Sequence, residues 1–377
     1  MKIVMERKQF LQALQRVQGV AERRSTMPIL SNVLLETVKD GITVTATDLE
    51  IGLRGTYPAT IHDEGKITLS AKKLYEVVRE VPDGDVTLQT EENHWTVIKA
   101  GKSHFKMRGL SPDDFPSIPE FEEKKLVSLD PSIFSMLIRR TIAAVSEGDT
   151  RQILNGVLLE TVLDGKQTKL RLVGTDGHRL ALAESPIQEA FWGSGETPRQ
   201  IVIPKKAVME VRRLLDEGVS DLAVGLTQNL IGFRMGGVFL FSRLLEGTFP
   251  NYQQVVPPEG DHTIGIQRPE FEGMLKRVAL FSREKTHAVT LEVTKGKVSL
   301  ASNDPEVGEA REEMAAAYEG GKITVGFNAR YLLEAIGSMD ADMVFLEIAN
   351  ALSPCLIRQK EGREFLCVIM PLRIQET

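Results

Sequence analysis

The 377-residue sequence predicts an α+β protein built from three tandem copies of one sheet-rich domain with two helices each. Three observations lead there. One phrase recurs at a spacing of 128 residues: Thr47-Asp48 in VTATDLEIGLR, Thr175-Asp176 in RLVGTDGHRLALAE and Asn303-Asp304 in SLASNDPEVGEARE. An amphipathic helix pattern precedes each phrase, at 7–22, 131–146 and 269–284. A second helix pattern follows it, in SAKKLYEVVREV, IPKKAVMEVRRLLDE and FNARYLLEAIGSM. A solenoid unit runs about 20–50 residues, whereas this repeat is long enough to bury a core of its own.

The elements follow in order. MKIVMERKQFLQAL reads as a short strand entering a charged helix, without the apolar stretch and cleavage site of a signal peptide. Ile42, Val44 and Ala46 alternate with Thr43, Thr45 and Thr47, as on a half-buried strand. Leu180 and Leu182 in the second repeat and Ile323 and Val325 in the third mark similar strands. Asp176-Gly177 between apolar runs predicts a two-residue hairpin. Long antiparallel stretches such as DLAVGLTQNLIGFRMGGVFLFSRLL complete each copy, with the helices on one sheet face. Pro112, Pro116 and Pro119 interrupt the first joint and Pro250, Pro257 and Pro258 the second. Domains at 1–126, 127–257 and 258–377 are expected, with Phe115-Pro116 and Phe249-Pro250 in equivalent places.

Composition narrows the function. Hydrophobic residues at 42% and charged residues at 26% suit a soluble globular protein, and no apolar run approaches the ~18 residues of a membrane span. Cys355 and Cys367 are the only cysteines and the histidines are scattered, so a reducing cytoplasm, no metal and no cofactor are expected. One aspartate per repeat suits a turn better than a shared carboxylate site, because Asp tolerates turn backbone and binds neighbouring amides. No phosphate loop, zinc-protease or nucleophile-elbow motif is present, which favours a scaffold over an enzyme. The net charge of −6 disfavours a DNA-coating protein unless positive charge is gathered on one surface. Lys72 and Arg79, Lys205 and Arg212, and Lys206 and Arg213 share helix faces in equivalent positions, a pattern suited to tracking duplex phosphates without reading bases.

RRSTMPILSNVLLE, RQILNGVLLE, LVGTDGHRLALAE, GTFPNYQQVVP, FNARYLLEAI and the terminal VIMPLRI together resemble the bacterial DNA polymerase III β subunit family, the sliding clamps, over the whole chain. The resemblance implies a head-to-tail homodimer, a six-domain ring of the DNA clamp fold, with basic helices lining the hole and acidic sheets outside. It implies a ring that encircles duplex DNA and tethers the replicative polymerase. It also implies that partners, among them the clamp loader and repair proteins, dock by a short linear motif in a cleft between the second and third domains. Matching cleft positions are Ile153, Leu154, Thr175, Gly177, His178, Arg179, Leu180, Pro250, Val255, Asn328, Tyr331, Val368, Met370, Pro371, Leu372 and Arg373. Leu180, Val255, Val368 and Met370 would form an adaptable apolar pocket, with His178 and Arg179 holding a peptide's backbone or carboxylate. Duplex contacts fall to Arg24, Lys72, Arg79, Arg151, Gln152, Lys205, Lys206 and Arg212, although Gln152 and Ile153 replace tyrosines of some family members. The dimer edges are Lys102, Phe105 and Lys106 against Ala279, Leu280, Glu306 and Glu309. A three-domain enzyme with its site in the same cleft is the competing expectation; it would gather acids, bases or a nucleophile there.

Overall fold

The computed structural model describes residues 1–21, 27–119, 121, 126–165, 167–187, 200–257, 262–359 and 364–373. Six α-helices lie among them: α1 (Arg7–Val17), α2 (Ala71–Glu80), α3 (Pro131–Thr141), α4 (Lys205–Leu215), α5 (Arg268–Ala279) and α6 (Ala329–Gly337). The α+β expectation holds. Each first helix stops five residues before its apolar periodicity does, at Val17, Thr141 and Ala279. In all three the chain then tightens to three-residue spacing: Val20 N–H bonds Val17 O, Val145 bonds Ile142 O and Phe281 bonds Val278 O. The second helices begin on side-chain caps where the sequence offers them. Ser70 accepts from the Lys73 amide, and Asn328 accepts from the Arg330 and Tyr331 amides. Buried Phe10 and Leu14 of α1, Leu74 and Val78 of α2, Phe271 and Leu275 of α5 and Leu332 and Ile336 of α6 anchor the helices, each contributing about 1.5–3 kcal/mol.

The chain forms two compact units, Met1–Ser132 with Met209–Leu244, and Ile133–Val208 with Leu245–Thr377. Sheet hydrogen bonding runs across the repeat joints, so each of these units groups strands from more than one repeat. In unit 1 an eight-stranded sheet has the order Val127–Leu129, Leu222–Leu226, Leu230–Met235, Val238–Arg243, Ile51–Pro58, Gly41–Thr47, Asn32–Val38 and Lys66–Ser70. Its joint is the antiparallel pairing of Leu240 with Leu53 and Phe241 with Gly52. A second sheet orders Thr60–Asp63, Lys2–Glu6, Asp85–Thr90, Trp95–Ala100 and Ser103–Arg108.

Unit 2 repeats the scheme. Its eight strands are Gln200–Pro204, Gly156–Asp164, Gln167–Thr175, Arg179–Pro186, Phe365–Ile369, Cys355–Gln359, Met343–Ile348 and His262–Gln267. The joint here pairs Arg179–Ala183 with Phe365–Ile369, so that Leu180 stands opposite Val368. A four-stranded sheet runs Gly308–Ala315, Lys297–Asp304, Ala288–Thr294 and Ile323–Asn328.

The recurring aspartates are turn residues. Asp48 Oδ1 accepts from the amides of Glu50 and Ile51, Asp176 Oδ1 from those of His178 and Arg179, and Asp304 Oδ1 from that of Glu306. The expected two-residue hairpin at Asp176-Gly177 is longer, since pairing resumes only at Thr175 with Leu180. Two amides bound to one carboxylate make the wider turn the stable one. Gly177 sits at φ +86°, and the equivalent Leu49 is held at φ 78°.

A polar ladder crosses unit 2. Gln200 faces Glu160, Glu160 faces Arg171, and Arg171 faces Glu184 on four consecutive strands. Gln200 Nε2 donates to Glu160 at 2.7 Å and Arg171 Nε to Glu184 at 2.8 Å. Arg171 Nη1 donates to the Tyr252 hydroxyl at 2.8 Å, and that hydroxyl donates to Glu160. Glu160, Glu184 and Tyr252 are all buried, so the carboxylates need their cation. Replacing Arg171 with Leu should cost about 3–5 kcal/mol in urea unfolding, because it removes the cation that Glu160 and Glu184 share and leaves Glu184 to Lys169 alone. Tyr252→Phe, which removes one buried hydroxyl, should cost about 1–3 kcal/mol. Equal small losses would mean that the ladder is hydrated and adds little.

Candidate functional site

The strand pair at the unit 2 joint builds a cavity of about 120 Å³. Its lining comes from four separate stretches: Arg151 and Leu154; Thr175, Gly177, Arg179 and Leu180; Pro250, Tyr252 and Val255; and Val368 and Met370. Leu180 and Val368 form the floor at 2% and 0% exposure, continuous with a core cluster of Leu158, Val173, Leu182, Phe249 and Leu366. Val255 and Met370, each 39% exposed, form the rim. A buried floor with an exposed, deformable rim suits an apolar side chain arriving from solvent.

Backbone hydrogen bonds hold these parts in place. Thr175 Oγ1 donates to Arg179 O at 2.6 Å, and the Gly177 amide donates back to Thr175 Oγ1 at 3.1 Å. The Met370 amide donates to His178 O at 2.9 Å and the Leu372 amide to Gly326 O at 2.8 Å, fixing the tail across the turn. A side chain at Gly177 would come within 3.1 Å of the Arg151 guanidinium, in a backbone conformation that already favours glycine.

Arg179 is engaged by groups of its own chain. Its Nε donates to Asp176 at 3.0 Å, Nη1 to Glu334 and Nη2 to the Ala143 carbonyl, while the guanidinium lies 4.2 Å over the Tyr331 ring. With each nitrogen engaged, Arg179 locks the Asp176 turn to α6 and stands as a wall. Arg151 is similarly occupied, since Nε and Nη2 bind Asp149 at 3.1 and 2.9 Å. Those hydrogen bonds hold the Asp149 carboxyl down at about 2.

The other expected cleft residues scatter around the cavity. Ile153 packs against the core beneath it. His178 is exposed and serves through its carbonyl, and Asn328 caps α6. Tyr331 lines a smaller cavity with Arg140, Glu334 and Cys367. Pro371, Leu372 and Arg373 continue the tail beyond the lining. Sequence reasoning misses Tyr252, although it lies inside the GTFPNYQQVVP segment; only the buried carboxylate it meets on a distant strand reveals its role.

Of the duplex-contact candidates, Arg24 lies outside the described residues. Lys72, Arg79 and Lys206 are exposed on α2 and α4, with Arg79 Nε 2.9 Å from Glu80. Lys205 Nζ donates to Val145 O at 3.1 Å, and Arg212 lies 3.6 Å from Asp216. Gln152 starts the short helical turn Gln152–Asn155. Among the edge candidates, Lys102, Lys106, Glu306 and Glu309 are exposed, Leu280 is 74% exposed, and Phe105 and Ala279 are half-buried. Glu312 and Glu313 of the same acidic strand are held by Arg277 and Lys297 of their own chain. Among the described residues no group of three or more His, Cys, Asp or Glu side chains could hold a metal ion.

Burial pushes the Glu334 carboxyl up, but hydrogen bonds from Arg179 and Arg330 outweigh it and hold the carboxyl below its ordinary 4.5. A carboxylate depressed on folding stabilises the native state above its unfolded pKa, and that contribution is lost as pH falls through the folded value. Melting temperatures of the wild type and Glu334→Gln should therefore differ at neutral pH and converge below about pH 4. A constant difference across that range would show that Glu334 does not anchor Arg179 by charge.

Comparison with known proteins places this geometry. Models of the N-terminal, central and C-terminal domains of the DNA polymerase III beta subunit match residues 1–119, 128–251 and 253–373. The beta sliding clamp of Caulobacter vibrioides is 37% identical over 376 residues, covering 99% of this chain and all of the relative. That of Escherichia coli K12 is 30% identical over 375 residues, with the same coverage. The crystal structure of a DnaN sliding clamp from Bartonella birtlesii bound to griselimycin superposes with a TM-score of 0.94 at 36% identity, covering 99% of this chain and 100% of that one. The DNA polymerase III subunit beta of Pseudomonas aeruginosa gives 0.90 at 34%, again over 99% of this chain and 100% of that one. Matched from end to end by three domain models and by relatives at 30% identity or more, the chain belongs to the DNA polymerase III beta subunit family, the beta sliding clamps.

Proposed function

We propose that this chain is the non-catalytic processivity subunit of a cytoplasmic replicase. Two copies close head to tail around duplex DNA, and each holds the polymerase by a short peptide seated on Leu180, Val255, Val368 and Met370. The clamp loader and repair proteins would compete for the same seat. The observation that carries this reading is the joint that occurs twice within one chain. Val238–Arg243 joins Ile51–Pro58, and Phe365–Ile369 joins Arg179–Pro186. The equivalent strands left over are Ser103–Arg108 and Gly308–Ala315, each outermost in its sheet. A second copy would supply the missing partner, and the same strand geometry closes a symmetric assembly. The pocket's leucine, valine, proline and methionine lining, with Arg179 already engaged, supports docking rather than chemistry. The relative from Bartonella birtlesii bound to griselimycin supports a ligand-binding role in the family.

The register of the third joint follows from the first two. Leu180 meets Val368 and Gly52 meets Phe241, so Glu309 of one copy should meet Lys106 of the next, with Phe105 opposite Ala310. Opposite charges set the register, and Phe105 and Leu280 supply apolar area. Lys106→Glu should weaken the dimer in sedimentation, and Glu309→Lys in the same chain should restore it. A double variant no better than the single would refute this register. Replacing Phe105 and Leu280 with charged residues should give monomers.

Peptide anchoring by a few side chains concentrates the truncation cost. Met370→Ala should cost griselimycin binding about 2–4 kcal/mol in calorimetry while leaving the dimer intact. Loss of the dimer with binding retained would assign the tail to the ring joint instead.

For DNA, replacing Lys72 and Lys206 with Gln should lower the slope of log affinity against log salt by about 0.9 for each phosphate no longer neutralised. Sequence preference should stay absent. An unchanged slope would remove both residues from the DNA-facing surface.

A further inference from the structure

We propose that Phe241 is a plug that closes, within unit 1, the counterpart of the docking pocket, so that each chain offers one peptide seat although its joints could supply two. The proposal rests on reading the Leu180–Val368 cavity as the peptide seat. The two joints share one scaffold. Thr47 Oγ1 donates to Ile51 O and receives the Leu49 amide, as Thr175 does with Arg179 and Gly177. The Arg243 amide donates to Glu50 O at 2.8 Å, just as that of Met370 donates to His178 O at 2.9 Å. Leu30, in the short turn Pro28–Ser31, is buried at 3%, as Leu154 in Gln152–Asn155 is at 1%.

Against this common frame the floor differs at two facing positions. Gly52 stands at the register of Leu180, and Phe241 at that of Val368. The Phe241 ring lies across the glycine: a Cβ built on Gly52 would meet Cε1 at 2.0 Å and Cζ at 2.4 Å. The ring thus occupies the space that a leucine would otherwise use, and it is only 4% exposed. An aromatic ring folded over a glycine fills the volume that Leu180 and Val368 leave open beside them. The rim changes as well. Arg243 takes the register of Met370, and its Nε donates to Leu49 O at 3.1 Å, placing a bound cation where the docking pocket has a deformable thioether. Peptide binding is thereby confined to unit 2 by packing.

Xenon settles in dry apolar cavities and reports them directly in crystals. Phe241→Val, which puts the Val368 residue type at the plug position, should admit xenon beside Gly52, where the wild type admits none. Phe241→Leu serves if the valine variant does not fold. A variant with the Leu53–Leu240 register intact and no xenon at Gly52 overturns the proposal. The reverse transplant, Leu180→Gly with Val368→Phe, should lower griselimycin affinity about tenfold or more in calorimetry. Affinity kept at the wild-type level also overturns it. Failure of the wild type to bind griselimycin would instead refute the peptide-seat reading, while the xenon measurement would still decide whether Phe241 fills a cavity.

Discussion

Backbone hydrogen bonding between Arg179–Ala183 and Phe365–Ile369 is the constraint on which the candidate pocket depends. Both strands would otherwise present unpaired amides and carbonyls at a sheet edge. Pairing them satisfies those groups and joins segments almost two hundred positions apart. It also sets the floor of the pocket, because side chains alternate strictly along a strand. A slip of one residue would replace Leu180 with Arg179 or Ala181 opposite Val368, and the apolar floor would be lost. The same pairing at Gly52 and Phe241 gives a sealed surface. One backbone arrangement therefore yields an open or a closed joint according to two side chains.

Charge is largely committed to holding that arrangement. Arg171 sits between two buried carboxylates and supports Tyr252, which walls the cavity. Arg179 ties the Asp176 turn to α6 through Glu334, and α3 reaches Asp340 through Arg139 and Arg140. Arg213 and Arg16 meet Glu210 and Glu217 in unit 1. A basic residue in an equivalent helix position is thus weak grounds for a DNA contact by itself. Lys72 and Lys206 are exposed, and Lys205 and Arg212 meet Val145 O and Asp216 of their own chain.

The turns show how a repeat tolerates divergence. Thr and Asp at the first two positions bond the equivalent backbone groups in the first and second copies, so the turn survives replacement of everything after them. Gly177 takes a left-handed backbone without cost, and Leu49 takes nearly the same angle because its surroundings enforce it. In the second copy the absent side chain leaves room for the Arg151 guanidinium at the cavity's edge.

By itself the sequence determined the repeat, the two helices per copy, the turn role of the aspartates and the family, because these rest on local periodicity and on contiguous motifs. It also supplied Leu180, Val255, Val368 and Met370 as pocket residues, but only through the resemblance. Nothing local pairs Leu180 with Val368, since strand partnership is a long-range choice set by edge satisfaction and packing. The tertiary structure alone decided that sheets run on across the repeat joints, because strand edges pair wherever hydrogen bonds can continue. It alone engaged Arg179 internally, brought Tyr252 to the cavity wall and laid Phe241 over Gly52. Each of these depends on which side chains meet across strands, and that is fixed by register rather than by any pattern along the chain.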